Sequence, residues 1–148
     1  MKGLFVDTAG WMACADVSDP ANASAKAARD SWLREGGTLI TTDYVADETL
    51  TLLRARLGLR AAETWWRQVD ASPRLRWEFV GLARMDKARE MFFRYSDKEF
   101  SFTDCTSFVV MRELKLREVL TTDRHFEQAG FTPLPKCQSS REGHSDDR

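Results

Sequence analysis

The stretch TLITTDYVADETLTLLRARLG, residues 38–58, passes from a short β-branched run into a segment with helical spacing. TLIT reads as a buried strand, because a brief apolar run bounded by glycine and polar residues is too short for a helix. From Tyr44 onward, Val45, Leu52, Leu53 and Leu57 recur at helical intervals and form much of one apolar face, and Gly58 ends the segment. The tripeptide TTD returns in REVLTTDRHFEQ, residues 117–128, where another strand meets a short helical turn through Phe126. One strand-to-helix transition used twice predicts parallel strands joined by crossover helices.

The rest of the chain fits that pattern. GLFVD, residues 3–7, reads as a buried strand closing on a carboxylate. Asp19 and Pro20 supply an N-cap and first-turn proline for an alanine-rich helix that stops at Gly36 and Gly37. A further helix runs from about Arg60 to Ser72 and is stopped by Pro73; RWEFV, residues 76–80, follows as a strand. Residues 81–97 and 102–116 are helical, the second opening near Thr103, and FTPLP, residues 131–135, is the last strand. The order predicts an α/β fold, a three-layer α/β/α sandwich with a mostly parallel central sheet. Residues 1–135 form one domain; residues 136–148 are polar, lack periodicity and are expected to be a disordered tail. Phe92, Phe93 and Phe108 are expected in the core, and Trp65, Trp66 and Trp77 in the core or a dimer interface.

Composition narrows the function classes. At 148 residues and 43% hydrophobic content the chain can bury one sizeable core. No apolar run approaches the roughly 20 residues that span a bilayer, and the N-terminus does not read as a signal peptide, so a cytoplasmic protein is expected, with no membrane partner. Cys14, Cys105 and Cys137 are widely spaced and form no CxxC pair, which argues for reduced thiols rather than disulfides or zinc. The net charge of −1 hides a basic middle: residues 54–94 carry ten Lys/Arg against five Asp/Glu, whereas both flanking blocks are acidic. Arg54, Arg56, Arg84, Lys87 and Arg89 are candidate contacts for a polyanion.

In a parallel sheet, ligands bind beyond the carboxyl ends of the strands, so acids placed there carry the functional reading. Asp7 and Asp123 each close a strand and are expected to face one another. Asp104 lies at a helix start, where the helix dipole favours an ionised carboxylate and Thr103 can cap the backbone. Glu48 shares a helix face with Val45, Thr49 and Leu52, the buried side. An unpaired buried carboxylate costs several kcal/mol, and four converging acids have few cations nearby in sequence. A divalent metal resolves the conflict, and an all-oxygen donor set selects Mg²⁺ or Mn²⁺ over zinc. Such a centre suits hydrolysis of phosphodiesters. Asp43 reads as an exposed helix-start residue, and His125 as a surface residue or a loose support to the site. A haloacid-dehalogenase-type phosphotransferase is excluded by DTAGW, because that chemistry needs a second aspartate at position 9, which is alanine.

Four segments, FVDTAGW, TTDYVADETLTLLRARLG, FSFTDCTSFVVM and VLTTDRHFEQAGF, resemble in order and spacing the PIN-domain nucleases, and within them the VapC-type toxins of bacterial toxin–antitoxin pairs. The resemblance covers roughly residues 3–135. It implies that Asp7, Glu48, Asp104 and Asp123 are the acidic quartet that binds Mg²⁺ or Mn²⁺, supported by Thr8 and by Thr121 or Thr122. It also implies RNA cleavage by metal-activated water, a homodimer, and neutralisation by a small antitoxin protein. Two alternatives stand beside it: a solitary RNA-processing PIN nuclease, and a PIN domain that binds RNA or protein without cleaving.

Overall fold

The computed structural model describes residues 2–136. Five strands form one sheet: β1 (Gly3–Val6), β2 (Thr38–Thr42), β3 (Leu75–Glu78), β4 (Glu118–Leu120) and β5 (Thr132–Leu134). Their spatial order is β3-β2-β1-β4-β5, and every pairing is parallel, with Phe5 opposite both Ile40 and Val119. Seven helices complete the α/β/α fold: α1 (Thr8–Ala15), α2 (Asn22–Arg34), α3 (Asp43–Leu57), α4 (Leu59–Ala71), α5 (Gly81–Arg94), α6 (Phe102–Glu113) and α7 (Arg124–Gln128). Leu4, Phe5, Val6, Val119 and Leu120 are fully buried, as strands covered on both faces must be. Phe108 stacks edge-on against Phe126 at 5.0 Å, and burying each such ring contributes about 1.5–3 kcal/mol. No helix among the described residues is long and apolar enough to cross a membrane.

Helix α1 has no counterpart in the sequence reading. Thr8, Gly10, Trp11, Met12 and Ala13 are all buried, so the helix shows no polar face and therefore no periodicity to detect. Gly10 explains how close it lies: a Cβ there would overlap the Leu120 carbonyl oxygen at the end of β4. Helix α2 starts at Asn22, not at Pro20, because Asp19 accepts a hydrogen bond from the Ala21 N–H and forms a turn before the helix instead of capping it. The Asn22 amide then donates to the Ala13 and Cys14 carbonyls, satisfying acceptors at the end of α1.

Four other expectations are corrected. Ser101, not Thr103, caps α6: its hydroxyl accepts from the Asp104 N–H while Asp104 accepts from the Ser101 N–H, a reciprocal capping box. Asp43 is half-buried and accepts from the Val80 N–H at 2.9 Å, tying the start of α3 to the loop after β3; Thr42 is the cap of that helix. Phe92 and Phe93 are exposed because α5 fully buries only Ala88, whereas Phe108 is in the core as expected. Leu57 is likewise exposed. Trp65 is buried, Trp77 half-buried and Trp66 exposed. Cys14 and Cys105 are free thiols; Cys137 and nearly all of the expected tail, residues 137–148, lie outside the described residues.

Arg84 is an internal clamp, no longer a candidate polyanion contact. Its guanidinium bonds Glu78 at the end of β3, the Phe79 carbonyl and Glu113 on α6, with the side chain mostly buried.

The close approach of α1 to β4 predicts that Gly10→Ala lowers the unfolding free energy by about 1–3 kcal/mol. Urea denaturation measures it; a stability equal to wild type would contradict the packing described.

Candidate active site

The strand order reverses between β1 and β4: the chain leaves β1 toward one side of the sheet and β4 toward the other, opening a crevice at their carboxyl ends. Asp7 follows β1 directly and caps α1; Asp123 follows β4 by three residues and caps α7. Asp104 sits in the first turn of α6, and Glu48 lies on the second turn of α3. All four carboxylates line one cavity of about 230 Å³, together with Thr8, Thr103 and Thr122. Thr121 is buried behind Asp7 rather than in the lining. The crevice thus collects, from four separate elements, each acid singled out in the sequence.

Local hydrogen bonds fix each carboxylate. Asp7 is only 4% exposed; its Oδ1 accepts from the Gly10 N–H and its Oδ2 from the Thr121 hydroxyl, both at 2.7 Å. Thr121 Oγ1 also accepts from the Asp123 N–H, so one hydroxyl links the acids that end the two central strands. Asp104 Oδ2 accepts from the Ser101 N–H, and Asp123 Oδ1 from the His125 N–H. Glu48 is half-buried, with Asp47 on the exposed face beside it.

Electrostatics show the strain of this arrangement. Burial, reinforced by Asp104 and Asp123, pushes the Asp7 carboxyl up to about 8 despite the stabilising bonds from Thr121 and Gly10. Burial likewise raises Asp104; the bonds from Ser101 and His125 oppose this, and Asp123 adds to it. Thr8 Oγ1 and Ser107 Oγ, both buried and both in residues lining the same cavity, have no hydrogen-bond partner among the described residues. Gathered hard-oxygen groups, raised carboxyl pKa values and unpartnered hydroxyls fit a hard divalent cation.

His125 carries more of the site than sequence reading assigned to it. Its Nδ1 lies 2.7 Å from Asp104 Oδ2 and 3.2 Å from Asp123 Oδ2, and the three side chains form a group compact enough to hold a metal. Toward an ionised Asp104 carboxylate Nδ1 can only donate, and the same nitrogen lies beside Asp123. The missed signal was the N-cap: with Asp123 capping α7, the residue two positions on is turned back toward the cap.

Comparison with known proteins gives three findings. Residues 4–132 match the PIN domain family. The chain is 34% identical over 131 residues to the 23S rRNA-specific endonuclease VapC20 of Mycobacterium tuberculosis, in both strain CDC 1551 and strain H37Rv, covering 88% of this chain and 97% of the relative. Its fold is similar to the crystal structure of M. tuberculosis VapC20, titled a Sarcin-Ricin loop cleaving toxin, with a TM-score of 0.78 at 34% identity, covering 86% of this chain and 95% of that one.

Two outcomes follow from the geometry. With a chelator present, native Asp7 holds a proton that the unfolded chain releases near its ordinary 3.8, so its contribution to stability is full below that value and is lost as pH rises toward about 8. Thermal melting should therefore fall over that interval more steeply in wild type than in Asp7→Asn; equal slopes would contradict the burial. His125→Ala should weaken Mn²⁺ affinity roughly 10–100-fold, read from the metal-induced rise in Tm, while His125→Asn, which keeps a donor near the Nδ1 position, should retain most of it. An alanine variant with wild-type affinity would rule out that contribution.

Proposed function

The chain belongs to the PIN-domain family, and on that premise we propose that it is a metal-dependent endoribonuclease acting as the toxin of a toxin–antitoxin pair. The observation that carries the reading is the convergence of Asp7, Glu48, Asp104 and Asp123 on one small cavity at the switch point of the sheet. VapC20, the relative named both as a 23S rRNA-specific endonuclease and as a sarcin–ricin loop cleaving toxin, supports a structured ribosomal RNA loop as the substrate.

Asp7 and Asp104 would be the central ligands of Mg²⁺ or Mn²⁺, with Asp123 and Glu48 completing the set directly or through water. The bound metal supplies Lewis-acid polarisation of the scissile phosphate and a water of lowered pKa. The protein's part is positioning. Thr121 and Gly10 occupy one lone pair on each Asp7 oxygen and fix the plane of the carboxylate. Ser101 and His125 both bond Oδ2 of Asp104, leaving Oδ1 without a partner among the described residues and free to ligate. Arg56, in the lining of the same cavity, would offset charge that develops on the phosphate. Thr8 and Ser107, whose hydroxyls have no partner among the described residues, would offer them to water held at the metal.

The surface supports the remaining partners. Phe79, Leu82, Phe93, Leu59 and Trp66 are exposed, and such large apolar side chains at the surface support a homodimer and a protein partner such as a small antitoxin.

The test is cleavage of labelled RNA carrying the ribosomal loop, with Mg²⁺ or Mn²⁺ and with a chelator control. Wild type should cut only with metal, and Asp104→Asn should lose roughly 100-fold or more of the rate while melting cooperatively. Cleavage that survives the chelator, or an Asp104→Asn variant with wild-type activity, would overturn the reading.

A further inference from the structure

The acid cavity is too small for a dinucleotide. At about 230 Å³ it falls below the roughly 300–1,000 Å³ that encloses a drug-sized ligand, so a phosphate and its cation fit but the nucleosides on either side must lie outside. A wider groove of about 760 Å³ adjoins it. The two share Thr122 and Asp123, and Pro20 of the groove follows Asp19 of the cavity. Three prolines, Pro20, Pro133 and Pro135, give the groove a rigid apolar lining.

The groove also carries cations from outside the basic middle of the chain, where three of the five candidates are already paired. Arg84 is consumed by Glu78 and Glu113, Lys87 pairs with Glu113 and Arg89 with Asp86. Arg124 and Lys136, by contrast, line the groove, are exposed, and form no ion pair among the described residues. Two acids share the wall: Asp123, already part of the acidic centre, and Glu127, exposed one turn further along α7.

We propose that the unpaired RNA strand flanking the cleaved phosphate runs through this groove, its backbone against Arg124 and Lys136 and its sugar and base faces on the proline lining. The inference rests on the ribonuclease reading and adds the path of the substrate to it. An unpaired strand is required because a base stacked within a duplex cannot offer its face to the lining. Glu127 opposes a phosphate in the same groove and sets an upper limit on affinity that its neutralisation should lift.

The test measures binding and cleavage of a labelled oligoribonucleotide with an unpaired segment, across salt concentrations. Arg124→Gln/Lys136→Gln should raise KM and flatten the log–log salt dependence of binding by about 1.4, at roughly 0.7 per lost phosphate contact on a single strand. The metal-induced rise in Tm should be unchanged, Glu127→Gln should lower KM, and Lys87→Gln/Arg89→Gln should leave binding as in wild type. If wild type cleaves but the groove pair leaves KM and the salt slope unchanged, the groove is wrong and the ribonuclease reading stands. If wild type binds with the predicted groove dependence yet never cleaves, the groove stands and the ribonuclease reading fails.

Discussion

The hydrogen bond from the Thr121 hydroxyl to the Asp7 carboxylate is the contact on which the arrangement turns. It joins the ends of the two strands at which the sheet reverses direction, and it does so beneath the surface, where a carboxylate is costly without a partner. Gly10 makes the geometry possible by letting α1 lie against the carbonyl of Leu120, so that the first N–H groups of the helix reach back to Asp7. Packing, capping and charge placement are therefore one constraint. A larger residue at position 10 would move the helix, the cap and the site acid together.

That constraint explains why the centre is costly without a counter-ion. Burial raises the proton affinity of Asp7 and Asp104, neighbouring carboxylates add to it, and the protein offsets this only in part, through backbone N–H groups, a threonine and a histidine. Functional sites commonly keep such a conflict, because groups perturbed by burial and like charge are poised to exchange a proton for a metal. The cavity is small and its neighbour about three times larger, which suits the proposed division between chemistry at the acids and substrate placement in the groove.

Much of this was legible from residues alone. Strands ending in acids, a carboxylate on the apolar face of α3 and the alternation of elements led to a parallel sheet with four acids at one edge. The sheet proved wholly parallel among the described residues, and the four acids share one cavity. What was not legible has physical causes. Helix α1 is buried almost all round and leaves no periodic trace. Ser101 was passed over because Thr103 also suits a cap, and only the backbone dihedrals separate them. The first TTD hides its role in a tertiary contact, since Asp43 bonds Val80 from 37 positions away in sequence. Arg84 reads as a polyanion contact because one of its partners, Glu113, lies 29 positions away in sequence and the other, Glu78, sits on a different element. The two TTD segments are the same transition with different caps: Thr42 in the first, Asp123 itself in the second.

The central claim is that Asp7 anchors a divalent-metal centre, and calorimetric titration of Mn²⁺ into the chelator-stripped protein tests it most directly. The account predicts saturable binding to wild type, affinity reduced at least roughly tenfold in Asp7→Asn, and affinity unchanged in Asp43→Asn, whose residue lies outside the acid cavity. Wild type that takes up no Mn²⁺, or an Asp7→Asn variant that binds it as tightly, would contradict the claim.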